Sequence, residues 1–129
     1  MIEAISPMPV GTLGFRLWGR IERADYADVL VPALTKAAEN GAEMRTLFLV
    51  DKLERMDPSA LWADAKAGFD MTVAHRANWK RTAFVSDQTW LVESARLFGW
   101  MIPGDFRTFP VAEVEQAKTW VGEAPPLTA

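Results

Sequence analysis

Apolar and polar residues follow two different periods along the chain, and each change of period marks an element boundary. From Gly11 to Arg20, the positions Leu13, Phe15 and Leu17, with Gly19 in line, alternate with Arg16 and Trp18. That period of two predicts a half-buried β-strand. The apolar-rich stretch 2–8, closed by Pro7 and Pro9, lies close enough upstream to be its antiparallel hairpin partner. From Glu22 the period lengthens. Tyr26, Val29, Leu30, Ala33, Leu34, Ala37 and Ala38 recur at steps of three and four, and Asn40-Gly41 closes an amphipathic helix. Pro32 falls inside it. Lacking an N–H and crowding the preceding turn, it predicts a bend or interruption within one turn on its N-terminal side.

Thr46–Val50 is a continuous apolar run ending in Asp51, the pattern of a buried parallel strand. Asp57-Pro58 opens a second long helix, with Asp57 as N-cap and proline at the first helical position, reaching about His75. Lys80–Ser86 reads as another buried strand. Asp87 is expected to cap a helix over 88–101, with Trp90, Leu91, Ser94, Leu97, Phe98 and Met101 along one face, ended by Pro103-Gly104. A short strand at Arg107–Phe109, a helix at 111–121 and a loose tail from Glu123 complete the order ββαβαβαβα. Strands alternating with helices predict an α/β fold: a mainly parallel sheet with right-handed crossovers after an N-terminal antiparallel hairpin. The expected organisation is one domain over 1–122 with a flexible tail at 123–129. The second and third long helices are expected to pack close together.

Composition narrows the chemistry. The 129 residues are 50% hydrophobic and 24% charged, as in an ordinary globular protein. There is no cysteine, which excludes thiolate nucleophiles, thiolate metal sites and disulfides. A net charge of -3 argues against nucleic acid as a partner. Neither a signal-peptide pattern nor an apolar run of roughly 18 residues is present, so a soluble, cytoplasmic protein is expected. His75 is the one histidine and has no accompanying Ser or Asp motif; it reads as a helix-end residue. No phosphate-cradling glycine motif or nucleophile elbow occurs. No enzymatic activity, metal or cofactor is expected.

The aromatic content is the least ordinary feature, with six Trp and seven Phe. Trp62, Phe69, Trp90, Phe98, Trp100 and Met101 are candidates for the wall of an apolar pocket between the second and third long helices. The plain alternative is that they fill the core. Trp62 and Trp100 come first because neither falls on the sheet-facing stripe predicted for its helix. Trp100-Met101-Ile102 could form an exposed apolar lip. Arg76, Lys80 and Arg81 make the densest basic cluster, suited either to an anionic headgroup or to a solvated edge.

The ordered set Gly19–Leu34 (GRIERADYADVLVPAL), Leu47–Asp51, Leu61-Trp62-Ala63-Asp64, Arg81–Val85 with Trp90, Phe106–Phe109 and Glu115–Val121 (EQAKTWV) resembles the SpoIIAA-like proteins, bacterial relatives of STAS and SEC14/CRAL-TRIO domains. The resemblance implies a βα fold, no established enzymatic activity, and binding of apolar small molecules or lipids with association with a membrane surface. It also points to a regulatory-protein partner. Antagonists of anti-sigma factors carry a phosphorylatable serine in a pattern like D…MDSSGL, and the matching stretch here is Asp51 … Met56-Asp57-Pro58-Ser59-Ala60-Leu61. Ser59 takes the serine position, while Pro58 and Ala60 replace its Ser and Gly neighbours. Two readings therefore stand: a carrier or sensor of an amphipathic small molecule, and a protein-docking module switched at Ser59.

Overall fold

A computed structural model describes residues 1–9, 11–39, 44–55, 57, 59, 61–63, 79–102 and 104–122. Five strands form one sheet: β1 (Ile2–Ala4), β2 (Leu13–Gly19), β3 (Met44–Leu53), β4 (Trp79–Val85) and β5 (Asp105–Phe109). The helices are α1 (Arg23–Asp25), which runs through a π-helical turn (Tyr26–Leu30) into α2 (Val31–Glu39), then α3 (Thr89–Phe98) and α4 (Val114–Gly122). Short 3-10 turns at Gly99–Met101 and Val111–Glu113 precede β5 and α4. Of the predicted second long helix, only its opening turn (residues 59 and 61–63) is described. Phe69, His75 and Arg76 lie outside the described residues.

Strand order follows chain order, β1-β2-β3-β4-β5. β1 pairs antiparallel with β2, Ile2 opposite Leu17 and Ala4 opposite Phe15. The other three pairings are parallel, as the alternation of strands and helices predicts. Because each parallel connection steps one strand the same way, crossovers of one hand must all place their helices on the same face. The larger core lies on that face: Phe15, Leu17, Met44, Val50 and Phe84 from the sheet meet Leu30, Leu34, Trp62 and Leu91. On the other face α4 seals Leu47, Ala83, Val85 and Phe109 with Ala117 and Val121. Two arginines hold its end in place. Arg45 Nη1 donates to the Val121 carbonyl at 3.0 Å, and Arg81 Nη1 to the Trp120 carbonyl at 2.8 Å. They satisfy last-turn carbonyls that have no partner within the helix, at its negative end.

The π-helical turn directly precedes α2, whose second residue is Pro32, so the interruption expected from that proline is present. Asp57 opens the second helix as expected. Its carboxylate accepts the Ser59 N–H at 3.0 Å, and its carbonyl accepts the Leu61 N–H at 3.0 Å.

Other expectations need correction. The predicted strand over 2–8 is only three residues long, and Ser6 and Pro7 lie in a bend beyond it. β3 extends beyond Thr46–Val50 at both ends, and β4 begins one residue before the expected Lys80, at the buried Trp79. Asp87 does not cap α3. The N-cap is Gln88, and the Asp87 carboxylate accepts the Val111 N–H at 2.9 Å. Leu97, placed by periodicity on the buried face of α3, is 68% exposed. Leu91, Ser94, Ala95 and Phe98 form the i, i+3, i+4, i+7 stripe, and Leu97 lies outside it.

Candidate functional site

The first residue to place is Trp62, one of the two leading candidates for the wall of an apolar pocket. It lies in the core, with only 4% of its surface exposed. Its ring lies 5.7 Å from Phe84 and edge-on to Phe106 at 6.0 Å, and Phe84 and Phe106 lie 6.2 Å apart. Its indole N–H donates to Ser94 Oγ at 2.9 Å, and that hydroxyl donates to the Leu91 carbonyl at 2.8 Å. A buried tryptophan needs a partner for its N–H, and α3 supplies one. This bond also joins the second and third long helices where the second begins, as expected.

The remaining aromatic candidates divide. Trp90 and Phe98 are half-buried and pack against the same core. The backbone of Met101 closes the 3-10 turn, and its side chain lies outside what is described. Trp100 alone among the described candidates is on the surface, 75% exposed.

Trp100 borders an open groove of about 520 Å³ between the C-terminal end of α3 and β5. Phe106, Ile102, Ala95 and Gly99 provide apolar lining and Arg96 borders it from α3, while Arg107 lines it along β5 with its guanidinium over the Phe109 ring on the opposite face. Gly99 shapes the floor. A Cβ there would stand 2.9 Å from the Phe106 ring, so a side chain would force the ring aside. The sequence reading missed Arg96, Phe106 and Arg107, because one belongs to a helix and two to a strand, and no spacing rule links them. A glycine inside a helical pattern was the one available signal.

The strand ends contribute a second cluster. Gln88 bonds the backbone of Leu53 twice: the Leu53 N–H donates to Gln88 Oε1 at 2.8 Å, and Gln88 Nε2 donates to the Leu53 carbonyl at 3.0 Å. The amide thus takes the place of a strand neighbour where β3 leaves the sheet, just after Lys52 adopts a positive φ of 56°. Ser59 is exposed, and its hydroxyl donates to the Asp57 carboxylate at 2.9 Å. Of the predicted basic cluster, Arg76 lies outside the described residues, and the other two part. Lys80 falls at the register shift between Met44 and Arg45 and is exposed, while Arg81 lies 4.9 Å over the Trp120 ring on the α4 face. On the other face, the cross-strand pair Thr46 and Thr82 places two buried hydroxyls without hydrogen-bond partners in the apolar floor. Among the described residues, no group of three or more side chains could hold a metal ion. None of their helices is long and apolar enough to cross a membrane.

The comparisons with known proteins agree with this architecture. The family model described as SpoIIAA-like matches residues 12–122. The chain belongs to the SpoIIAA-like family. Among solved structures, this SpoIIAA-like domain is similar to an uncharacterized protein of the DUF3478 family with a SpoIIAA-like fold from Shewanella loihica PV-4. The two share 23% sequence identity over 93% of each chain, with a TM-score of 0.62. At that identity the likeness establishes the fold. No curated protein matches the sequence.

Proposed function

We propose that this SpoIIAA-like domain is a small, non-catalytic binding module whose ligand is an amphipathic molecule with an anionic head. The reading rests on Trp100, which exposes three quarters of its surface beside a groove that Arg96 also borders. An indole left in water at the rim of a groove lined by Phe106, Ile102 and Ala95 gains by covering those side chains, and the Arg96 guanidinium favours a carboxylate or phosphate at its edge. A groove of this volume falls within the range of small-molecule sites. A lipid-like ligand meets both requirements, and the same surface would allow reversible contact with an anionic membrane. Titration with laurate, followed by tryptophan fluorescence, tests the reading. Trp100→Ala should weaken binding at least roughly tenfold with the fold intact, as loss of a large aromatic contact does. Equal binding by Trp100→Ala, or none by the wild type at micromolar protein, would refute it.

The alternative is a regulatory module that docks another protein and is switched by phosphorylation at Ser59. Exposure of Ser59 in the first turn of a helix favours it, since a phosphate is stabilised near a helix N-terminus. The neighbouring Asp57 carboxylate, already bonded to the hydroxyl, works against it by like-charge repulsion. The laurate-binding reading therefore leads.

A further inference from the structure

The outer side of β5 is an open sheet edge: β5 ends the strand order, and no strand among the described residues pairs beyond it. An open edge presents unpaired N–H and C=O groups to any strand that can match it. Which groups point outward follows from one bond. The Phe109 carbonyl accepts the Ser86 N–H at 3.0 Å, so Phe109, Arg107 and Asp105 turn their backbone groups toward β4. The alternation along a strand then points the backbone groups of Phe106 and Thr108 outward.

The side chains of this edge are self-complementary. Asp105 and Arg107 are both exposed and, two residues apart, share the α4-facing side of the sheet. Arg107 is held there with its guanidinium 4.8 Å over the Phe109 ring. Among the described residues Asp105 has no ion-pair partner. Now let a second copy of β5 approach antiparallel about a two-fold axis. If Phe106 faces Phe106 of the other copy, Asp105 of each chain faces Arg107 of the other. The two phenylalanines then form a hydrogen-bonded pair, and the charges occupy the adjacent non-bonded pairs, where side chains stand closest. Registers centred on Asp105 or Arg107 oppose like charges, and odd registers violate the pleat. A register centred on Thr108 forms no ion pair and sets Phe106 opposite Pro110, which has no N–H to donate, so charge and hydrogen bonding together favour the Phe106-centred one.

We infer that this chain forms a two-fold symmetric dimer by antiparallel pairing of β5 in the Phe106-centred register. Trp100, one of the three large hydrophobic residues most exposed among those described, borders β5 beside Phe106 and Thr108. A short edge with one flanking tryptophan on each copy buries at most on the order of 1,000 Å², the lower end for specific association, so the dimer is weak and concentration-dependent. The inference does not depend on the groove holding a ligand.

Sedimentation-velocity and light-scattering measurements over about 5–500 μM, the range expected for an interface of this size, test it. Wild-type protein should shift from monomer toward dimer. Arg107→Asp and Asp105→Arg should each stay monomeric to at least roughly tenfold higher concentration, because both symmetry-related pairs become repulsive. The exchange D105R/R107D restores opposite charges and should recover the dimer. An equimolar mixture of the two single variants should give a heterodimer, since each chain then supplies the charge the other lacks. Circular-dichroism melts of each variant report folding separately. The inference is overturned if the wild type remains monomeric throughout, if the single variants dimerise as it does, or if the folded D105R/R107D protein and the mixture stay monomeric.

Discussion

Replacing Trp62 with alanine distinguishes a core aromatic residue from a ligand-binding one. Truncation of a buried Trp typically costs about 3–5 kcal/mol in lost packing and residual cavity. Trp62 meets the conditions for the upper part of that range, with 4% exposure and ring contacts to Phe84 and Phe106 on two adjacent strands. For a domain of this size the loss translates to roughly 10–20 °C in Tm. The hydrogen bond can be separated from the packing. Ser94→Ala keeps the ring but leaves a buried indole N–H without its acceptor, a cost of about 1–3 kcal/mol. Trp62→Phe removes the N–H itself, so the double variant S94A/W62F should be less destabilised than the sum of the two singles. Coupling is expected because the residues touch. Thermal and urea melts of the four proteins, with Trp100→Ala as the exposed control expected within about 0.5 kcal/mol of wild type, complete the test. If Trp62→Ala melts within 2–3 °C of wild type, about the shift of a surface substitution, the placement of Trp62 in the core is wrong.

Three further substitutions have definite expected outcomes. Gly104 has φ of +81°, and a Cβ there would stand 2.5 Å from the Trp79 carbonyl oxygen; Gly104→Ala should therefore cost more than about 2 kcal/mol, read from urea melts. Gln88→Glu replaces the amide donor to the Leu53 carbonyl with a carboxylate oxygen, and should lose about 1–3 kcal/mol and speed amide exchange at Leu53 and Glu54. Thr82→Val removes a buried hydroxyl without a hydrogen-bond partner, and should leave Tm unchanged or raise it by a few degrees, equivalent to about 1 kcal/mol; a loss of more than 1–2 kcal/mol would show that the hydroxyl is satisfied.

Much of the fold was legible because its determinants are local and repetitive. The period of two in β2, the apolar runs at Thr46–Val50 and Lys80–Ser86 and the cap at Asp57 each act within a few residues. Pro32 interrupts its helix through missing donor and steric crowding alone. What could not be read is what depends on contact at a distance. Asp87 is a good cap by type, yet its carboxylate serves the Val111 N–H across the sheet end instead. Trp62 looks misplaced on a helical wheel, because the wheel does not know that Ser94 waits to accept its N–H. The groove combines Arg96, from α3, with Phe106 and Arg107, from β5, so it exists only once β5 has paired with β4.

Two departures from local rules among the described residues differ in kind. Thr46 and Thr82 place buried hydroxyls in an apolar floor, a cost to stability with no partner to offset it. Trp100 leaves a large apolar surface in water beside β5, the last strand of the described sheet. Sequences that specify one fold keep local preference and global structure in agreement, and departures concentrate where a protein does something else. The surface departure is the more informative of the two. A buried hydroxyl can be tolerated at about 1 kcal/mol, whereas an exposed aromatic side chain next to an unpaired edge invites association that natural proteins ordinarily suppress with charge. Here the charges at the edge alternate in sign, Asp105 then Arg107, so they repel most strands while matching a second copy of their own. That pattern is why the pairing we infer for β5 and the groove we propose for the ligand both lie on the α3–β5 side.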